Sequence, residues 1–457
     1  MNPQTIAAKH LLTAQGWLEN ATVQIGEDGR IASVSERHDR HTISVGALLP
    51  APGNVHSHAF QRAMAGLAEG RGAGHGADDF WSWRTLMYSF VERLTPDDIE
   101  AIAAQVQMET LEAGYASIGE FHYLHHQPDG APYANISELS ERIFAAAEQT
   151  GIGYTHFPVF YMRGGMDDRA PEGGQKRFAC TTEQFAQLFD RLSTLSTSLA
   201  DDARLGVAPH SIRAVDAQGL AFVSSLQNNA PVHIHIAEQT GEVEEAMSML
   251  GARPVEWLLD NADINACWSL VHATHMNGEE TKGVARTGAV AALCPVTEAN
   301  LGDGVFDAPP FLNAGGRIAV GTDSNVRISL SEELRMLEYS QRLHRQQRVL
   351  LADDAKSAGR FIFDHVSAGG AQSLGRDAGR IETGALADLV AIDSDNPVLT
   401  GFSGDRLLDA WIFAGDDGLV TDVWSAGRHV VRSGRHIERD AIANRFNKVM
   451  SRLRSRL

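Results

Sequence analysis

The residues in this sequence whose types and spacing could do chemistry begin with His56 and His58, in Ala51-Pro-Gly-Asn-Val-His-Ser-His-Ala-Phe-Gln61. On a β-strand, side chains two apart share a face, so both imidazoles could grip one object. Taken alone, the pair could be metal ligands, an acid/base pair, or two solvated polar residues on an edge strand. Similar groups stand elsewhere at the carboxyl ends of short apolar runs. Val232-His-Ile-His-Ile-Ala-Glu238 offers His235 with Glu238 three residues on, Leu270-Val-His-Ala-Thr274 offers His272, and Ala319-Val-Gly-Thr-Asp-Ser-Asn325 offers Asp323. Three neutral imidazoles and a carboxylate form a mixed N/O set suited to one divalent ion, most naturally Zn²⁺, with iron, manganese or cobalt as other occupants. A catalytic ion keeps a position for water. With His56, His58, His235 and Asp323 as ligands, Glu238 and His272 are left for proton transfer.

The elements that must position these groups follow from the pattern of the middle of the chain. Eight β-like runs, 49–58, 116–122, 154–161, 204–210, 231–237, 268–272, 289–294 and 317–323, alternate with amphipathic helical stretches such as 242–250. Eight βα units predict an α/β fold, a metal-dependent TIM (β/α)8 barrel over 51–375. Active sites in this fold sit at the carboxyl ends of the strands, where all the candidate groups fall. Thr95-Pro-Asp-Asp98 is a helix start, with threonine as N-cap and proline at the first position. The two ends of the chain read differently. The runs 21–25 and 31–34 flank an acidic-Gly turn, a hairpin signal, and 387–392, 420–424 and 429–432 are separated by Gly and Asp. Residues 1–50 and 376–440 are therefore expected to form one small β-sandwich domain, followed by a C-terminal helix over 441–457.

Composition narrows the partners. Among 457 residues, 58 acidic against 39 basic give a formal charge of -19. No basic cluster stands out before the last turns, Arg445 to Arg454, and nucleic acid is not an expected partner. The three cysteines, Cys180, Cys267 and Cys294, form no Cys-x-x-Cys pair, and reduced thiols are expected. No charged-then-apolar leader and no apolar run of membrane-spanning length is present, which predicts a soluble cytoplasmic protein without a membrane partner. A small-molecule substrate and a homodimeric assembly are the remaining expectations.

Taken together, the His-x-His after a first strand, the His with Glu three later, the lone His on strand six and the Asp on strand eight resemble the amidohydrolase superfamily. Gly384-Ala-Leu-Ala-Asp-Leu-Val-Ala-Ile-Asp393 resembles its C-terminal β domain, so the likeness spans nearly the whole chain. Binuclear members carry a strand-four lysine. The run Arg204-Leu-Gly-Val-Ala-Pro-His210 has none, so the resemblance implies a single metal and hydrolytic loss of ammonia from a C=N carbon. Five further stretches resemble the members of this superfamily that deiminate a linear formimino dicarboxylate in histidine degradation. These are 56–61, Phe80-Trp-Ser-Trp-Arg-Thr-Leu-Met-Tyr88, Glu120-Phe-His-Tyr123, His210-Ser-Ile-Arg213 and Thr297-Glu-Ala-Asn-Leu-Gly-Asp303. The resemblance implies substrate contacts from Gln61, Arg84, Tyr123, His210 and Arg213. Two arginines suit a ligand with two carboxylates, because the guanidinium fork pairs a carboxylate bidentately. The alternatives are a mononuclear deaminase of a purine or related heterocycle and, in another class, a metal-free scaffold or binding barrel.

The other histidines have plainer readings. His233 reads as a packed barrel residue, and His122, His125, His126 and His275 as local hydrogen-bonding groups. The Gly-rich Glu69-Gly-Arg-Gly-Ala-Gly-His-Gly76 lacks the strand and the Lys-Ser/Thr of a phosphate cradle, and reads as a loop that could close over the site.

Overall fold

The computed structural model describes residues 2–36, 43–70, 80–226 and 229–455. The Gly-rich run read as a lid falls, from residue 71 onward, outside the described residues.

The eight βα units form a closed barrel. Its strands are β1 (Gly53–Ser57), β2 (Ser117–His122), β3 (Gly153–Phe160), β4 in two short pieces (Arg204–Leu205 and Ala208–Pro209), β5 (Val232–Ile236), β6 (Trp268–His272), β7 (Val290–Leu293) and β8 (Arg317–Val320). All neighbours pair in parallel. Single bridges close the two seams, Val207 to Val232 and Ser211 to His235 on one side, Ser57 to Asp323 on the other. Every residue of β2, β3, β5, β6 and β7 is buried, as expected of a parallel sheet covered on both faces. The β1/β8 seam is tight enough to require a glycine. A Cβ on Gly321 would stand 2.6 Å from the His56 nitrogen and 2.8 Å from its Cβ.

One expected strand is two. Residues 49–58 divide at Ala51-Pro52, where proline removes a ladder donor. The part Ile43–Pro50 pairs antiparallel with Leu389–Ile392 in the small domain, and only Gly53–Ser57 enters the barrel. His58 lies just past that strand, capping the 3₁₀ turn Ala59–Met64. The small domain is likewise not two separate sheets. It is one eight-stranded sheet in the order Arg435–His436, Arg428–Arg432, Val420–Ser425, Leu389–Ile392, Ile43–Pro50, Gln4–Thr13, Gly16–Ile25, Ile31–Ser35. It curls on itself: Ile31 exchanges backbone hydrogen bonds with Gly384 and Ala385, a few residues before the strand Leu389–Ile392, which three other strands separate from Ile31–Ser35 in the sheet. The hairpin predicted at 21–34 is present, with Val23 opposite Val34, whereas the long strand Gln4–Thr13 was not read from the sequence. The helix Pro96–Glu112 starts as expected on a Thr95/Asp98 capping box, and the C-terminal helix Arg439–Arg454 packs against it. Among the described residues, no helix is long and apolar enough to cross a membrane.

Candidate active site

The carboxyl ends of the strands bring the predicted groups together. The Nε2 atom of His56 lies 3.2 Å from Nε2 of His58 and 3.1 Å from Nε2 of His235, and Asp323 Oδ1 is 3.2 Å from His58 Nε2. One donor atom from each of the four residues lies within 4.8 Å of the others, and all four residues are buried. Backbone carbonyls orient two of the rings: Nδ1 of His58 is 3.0 Å from the Phe121 oxygen and Nδ1 of His235 is 3.1 Å from the His210 oxygen. A carbonyl only accepts, so each Nδ1 carries the proton and each Nε2 turns a lone pair to the centre.

The donor set fits a divalent cation electrostatically as well. Burial and the neighbouring imidazoles hold His56 and His235 well below the ordinary histidine range. Burial, partly opposed by the Phe121 carbonyl, brings His58 down to about 3. All three imidazoles are therefore neutral at pH 7, the form that ligates metals. Burial raises Asp323 to about 7 against the pull of His272, with Glu238 and Glu298 pushing in the same direction. A cation among these atoms would restore its carboxylate form.

Glu238 and His272 flank this set. Glu238 Oε1 is 3.7 Å from His272 Nε2, and its Oε2 is 3.6 Å from Arg213 Nη2. His272 Nδ1 is 3.3 Å from Glu298 Oε1. Burial works against a charged His272, but Glu238, Glu298 and Asp323 outweigh it and carry the imidazole up to about 10. The turns that aim these groups leave ordinary backbone space. His272 and Asp323 have φ of 66° and 44°, left-handed values that cost a non-glycine residue on the order of 1 kcal/mol or more. At Asp323 the conformation is held by Asn325. Its Nδ2 donates to the carbonyls of His58 (3.2 Å) and Asp323 (3.1 Å), while its Oδ1 accepts from the Thr322 hydroxyl (2.6 Å).

A cavity opens over these groups, lined in part by all five expected substrate residues. Gln61 Nε2 donates to the Tyr123 hydroxyl at 2.8 Å, and Gln61 Oε1 is a buried acceptor with no partner among the described residues. His210 directly follows β4, its Nδ1 3.0 Å from the Ser211 hydroxyl. Arg213 was expected to begin a helix. It lies instead in the turn after β4, four residues before the helix Ala217–Ser225, whose cap is Asp216. Arg84 stands on the helix Phe80–Val91, donating from Nε to the Tyr88 hydroxyl.

The sequence reading missed several groups that hold the site. Glu298, inside one of the quoted stretches, accepts from the Cys294 backbone N–H at 2.8 Å and faces His272. Together with the Cys294 thiol, which burial pushes well above its usual range, it forms a second cluster around His272. Because Glu298 Oε1 is already engaged and the thiol stays protonated, this cluster orients the imidazole and is a poor metal site. Glu242 accepts from the backbone N–H of Ala237 and of Glu238, both at 3.1 Å. Tyr88 and Tyr161 contact Arg84. The signals were a tyrosine one helical turn beyond Arg84 and another at the end of a predicted strand. Of the remaining histidines, His233 stacks on Phe157 at 3.8 Å and meets the Ser373 carbonyl at 3.0 Å, and His125, His126 and His275 each bond a backbone carbonyl, whereas the buried Nε2 of His122 has no hydrogen-bond partner among the described residues.

A parallel barrel with a small β domain, and with His, His, His and Asp converging at its strand ends, is the architecture of metal-dependent hydrolases. The model of the amidohydrolase family matches residues 47–430, and the chain belongs to that family. It is 46% identical over 454 residues, 98% of this chain and 99% of the other, to the formimidoylglutamate deiminase of Pseudomonas aeruginosa. A 5-methylthioadenosine/S-adenosylhomocysteine deaminase of Natronomonas pharaonis is 29% identical, covering 88% of this chain and 86% of its own. Among solved structures, an amidohydrolase from Brucella melitensis superposes with a TM-score of 0.94 at 46% identity, over 98% of this chain and 99% of that one.

Proposed function

We propose that this chain hydrolyses N-formimino-L-glutamate to N-formyl-L-glutamate and ammonia, a step of histidine degradation. The observation that carries the reading is the placement of two arginines, Arg84 and Arg213, in the cavity above the His56/His58/His235/Asp323 set. Two guanidinium groups match a substrate with two carboxylates, whereas a flat neutral base would need stacking surfaces and amide contacts. The identity with a named formimidoylglutamate deiminase over nearly the whole chain supports the same reading.

In this proposal His56, His58, His235 and Asp323 hold one divalent ion, which we take to be zinc. When bound, such a cation lowers the pKa of water toward neutrality and so supplies hydroxide near pH 7. Arg84 and Arg213 seat the carboxylates, with Gln61, Tyr123 and His210 completing the cavity wall. Water attacks the formimino carbon while Glu238 takes its proton and passes it to the imino nitrogen. His272, oriented by Glu298, donates toward the oxygen on which negative charge develops. The C–N bond then breaks, the remaining hydroxyl proton goes to the departing nitrogen, and ammonia leaves. A cytoplasmic location and a homodimeric assembly belong to the same proposal. The test is ammonia release from N-formimino-L-glutamate beside a panel of purines. Turnover of the former alone is expected; turnover of a purine with none of the former would overturn the assignment.

A further inference from the structure

The hydrogen-bond accounting around Tyr161 singles out a group that neither the sequence reading nor the family likeness assigns. Gln175 Oε1 accepts from the backbone N–H of Glu172 at 3.1 Å, and Gln175 Nε2 lies 3.3 Å from the carbonyl of Gly164. A backbone N–H can only donate and a carbonyl can only accept, so the orientation of this amide is fixed at both ends. Its NH₂ group therefore donates to the Tyr161 hydroxyl oxygen, 2.8 Å away. Arg84 Nη2, which also can only donate, lies 3.4 Å from the same oxygen. The Tyr161 oxygen thus faces two donors, and its own proton can go to neither. Among the described residues these are its two hydrogen-bond partners, and neither is an acceptor. Yet Tyr161 is only 2% exposed, and it lines the active-site cavity.

We infer that the Tyr161 hydroxyl is a further substrate-binding group, donating its proton to the same substrate carboxylate that Arg84 takes. This rests on the proposed reading of the substrate as a formimino dicarboxylate. Arg84 directs its Nε to Tyr88, which fixes the guanidinium plane and turns the Nη side toward Tyr161. A carboxylate seated there meets a guanidinium N–H at one oxygen and a phenol O–H at the other. Gln175 never touches the ligand; it is a positioning residue that holds the phenol as a donor. A buried hydroxyl whose proton finds its acceptor in the bound carboxylate also discriminates, because a ligand without that carboxylate leaves the O–H unpaired.

The test uses metal-loaded full-length protein and two readouts. Calorimetric binding of glutarate, a bare dicarboxylate, is expected to weaken roughly tenfold or more in Tyr161→Phe, the worth of a hydrogen bond to a charged group. Gln175→Glu keeps the hydroxyl but offers its proton a carboxylate, and a comparable weakening is expected. In kinetics, Tyr161→Phe should raise KM for N-formimino-L-glutamate by a similar factor and leave kcat within about threefold. Removing the carboxylate seated on Arg84 should erase the difference between variant and wild type. Two formimino analogues supply this test, one lacking the α-carboxylate and one lacking the side-chain carboxylate, and one of the two should show no penalty from Tyr161→Phe. Equal penalties on both analogues, or wild-type glutarate affinity in either variant, would overturn the assignment. Wild-type protein that binds glutarate but releases no ammonia from N-formimino-L-glutamate would instead sink the proposed function and leave the Tyr161 assignment standing.

Discussion

Asp323 at the carboxyl ends of the barrel strands and Asp202 at the opposite end are nearly equally buried, 5% and 6% exposed, and their carboxyls are driven in opposite directions. Burial raises Asp323 to about 7, and the carboxylates of Glu238 and Glu298 add to the rise against the pull of His272. Burial also works against the Asp202 carboxylate, but hydrogen bonds and charge from Arg428 and Arg376 overcome it and bring Asp202 down to about 2. Arg376 is itself fully buried and lies 3.0 Å from both Asp202 and Asp388, while Arg428 reaches Asp202 at 2.7 Å from the small sheet. The same cost of burial has been met in two ways. Below, the protein supplies its own cations and joins the barrel to the small domain. Above, it gathers donors that suit a cation from outside, and the shifted groups are available for chemistry.

Breaking each end should therefore register in a different measurement. At the upper end, Glu238→Gln is expected to lower kcat for ammonia release by about 10²- to 10⁴-fold, with metal content and thermal stability unchanged. A variant keeping most of its kcat would remove Glu238 from the proton path. At the lower end, Arg376→Met leaves the buried Asp388 without its guanidinium and Asp202 with Arg428 alone. It should cost about 3–5 kcal/mol in denaturant unfolding while leaving KM of the surviving folded protein near wild type. Arg84→Met should raise KM for N-formimino-L-glutamate by at least tenfold with kcat much less affected, and should not move the unfolding midpoint by a comparable amount. The smallest effect is at Asp202. Its folded pKa is depressed below the unfolded value near 3.8, so its contribution is fully present above about pH 4 and is lost as pH falls through about 2. Asp202→Asn should remove on the order of 2 kcal/mol of stability at pH 7 and flatten the dependence between pH 4 and 2. Parallel pH profiles for wild type and variant would show that the guanidinium pairing is not what lowers this group.

The upper end was readable from the sequence because barrel chemistry sits at strand ends, and strand ends show as apolar runs that stop at His56, His235, His272 and Asp323. The lower end was not, since Asp202, Arg376, Asp388 and Arg428 are scattered over more than two hundred positions and meet only through the fold. The same limit explains the groups missed around the site. Glu298 acts through the imidazole it holds, and nothing local in the chain marks which imidazole that is. Residues 49–58 read as one strand because the segments on both sides of Ala51-Pro52 are extended, so the switch from the curled sheet to the barrel leaves only the proline as a trace. The left-handed turns at His272 and Asp323 were invisible for a further reason: the backbone there is held by tertiary partners such as Asn325, against the preference of the residues themselves.

Deimination is expected to depend on a divalent ion held by the four converging donors. Metal analysis of the purified chain, joined to an ammonia assay with N-formimino-L-glutamate before and after chelation, tests it directly. One divalent ion per chain is expected, with loss of ammonia release on its removal and recovery when zinc is returned. Undiminished turnover by protein shown to be metal-free would contradict it.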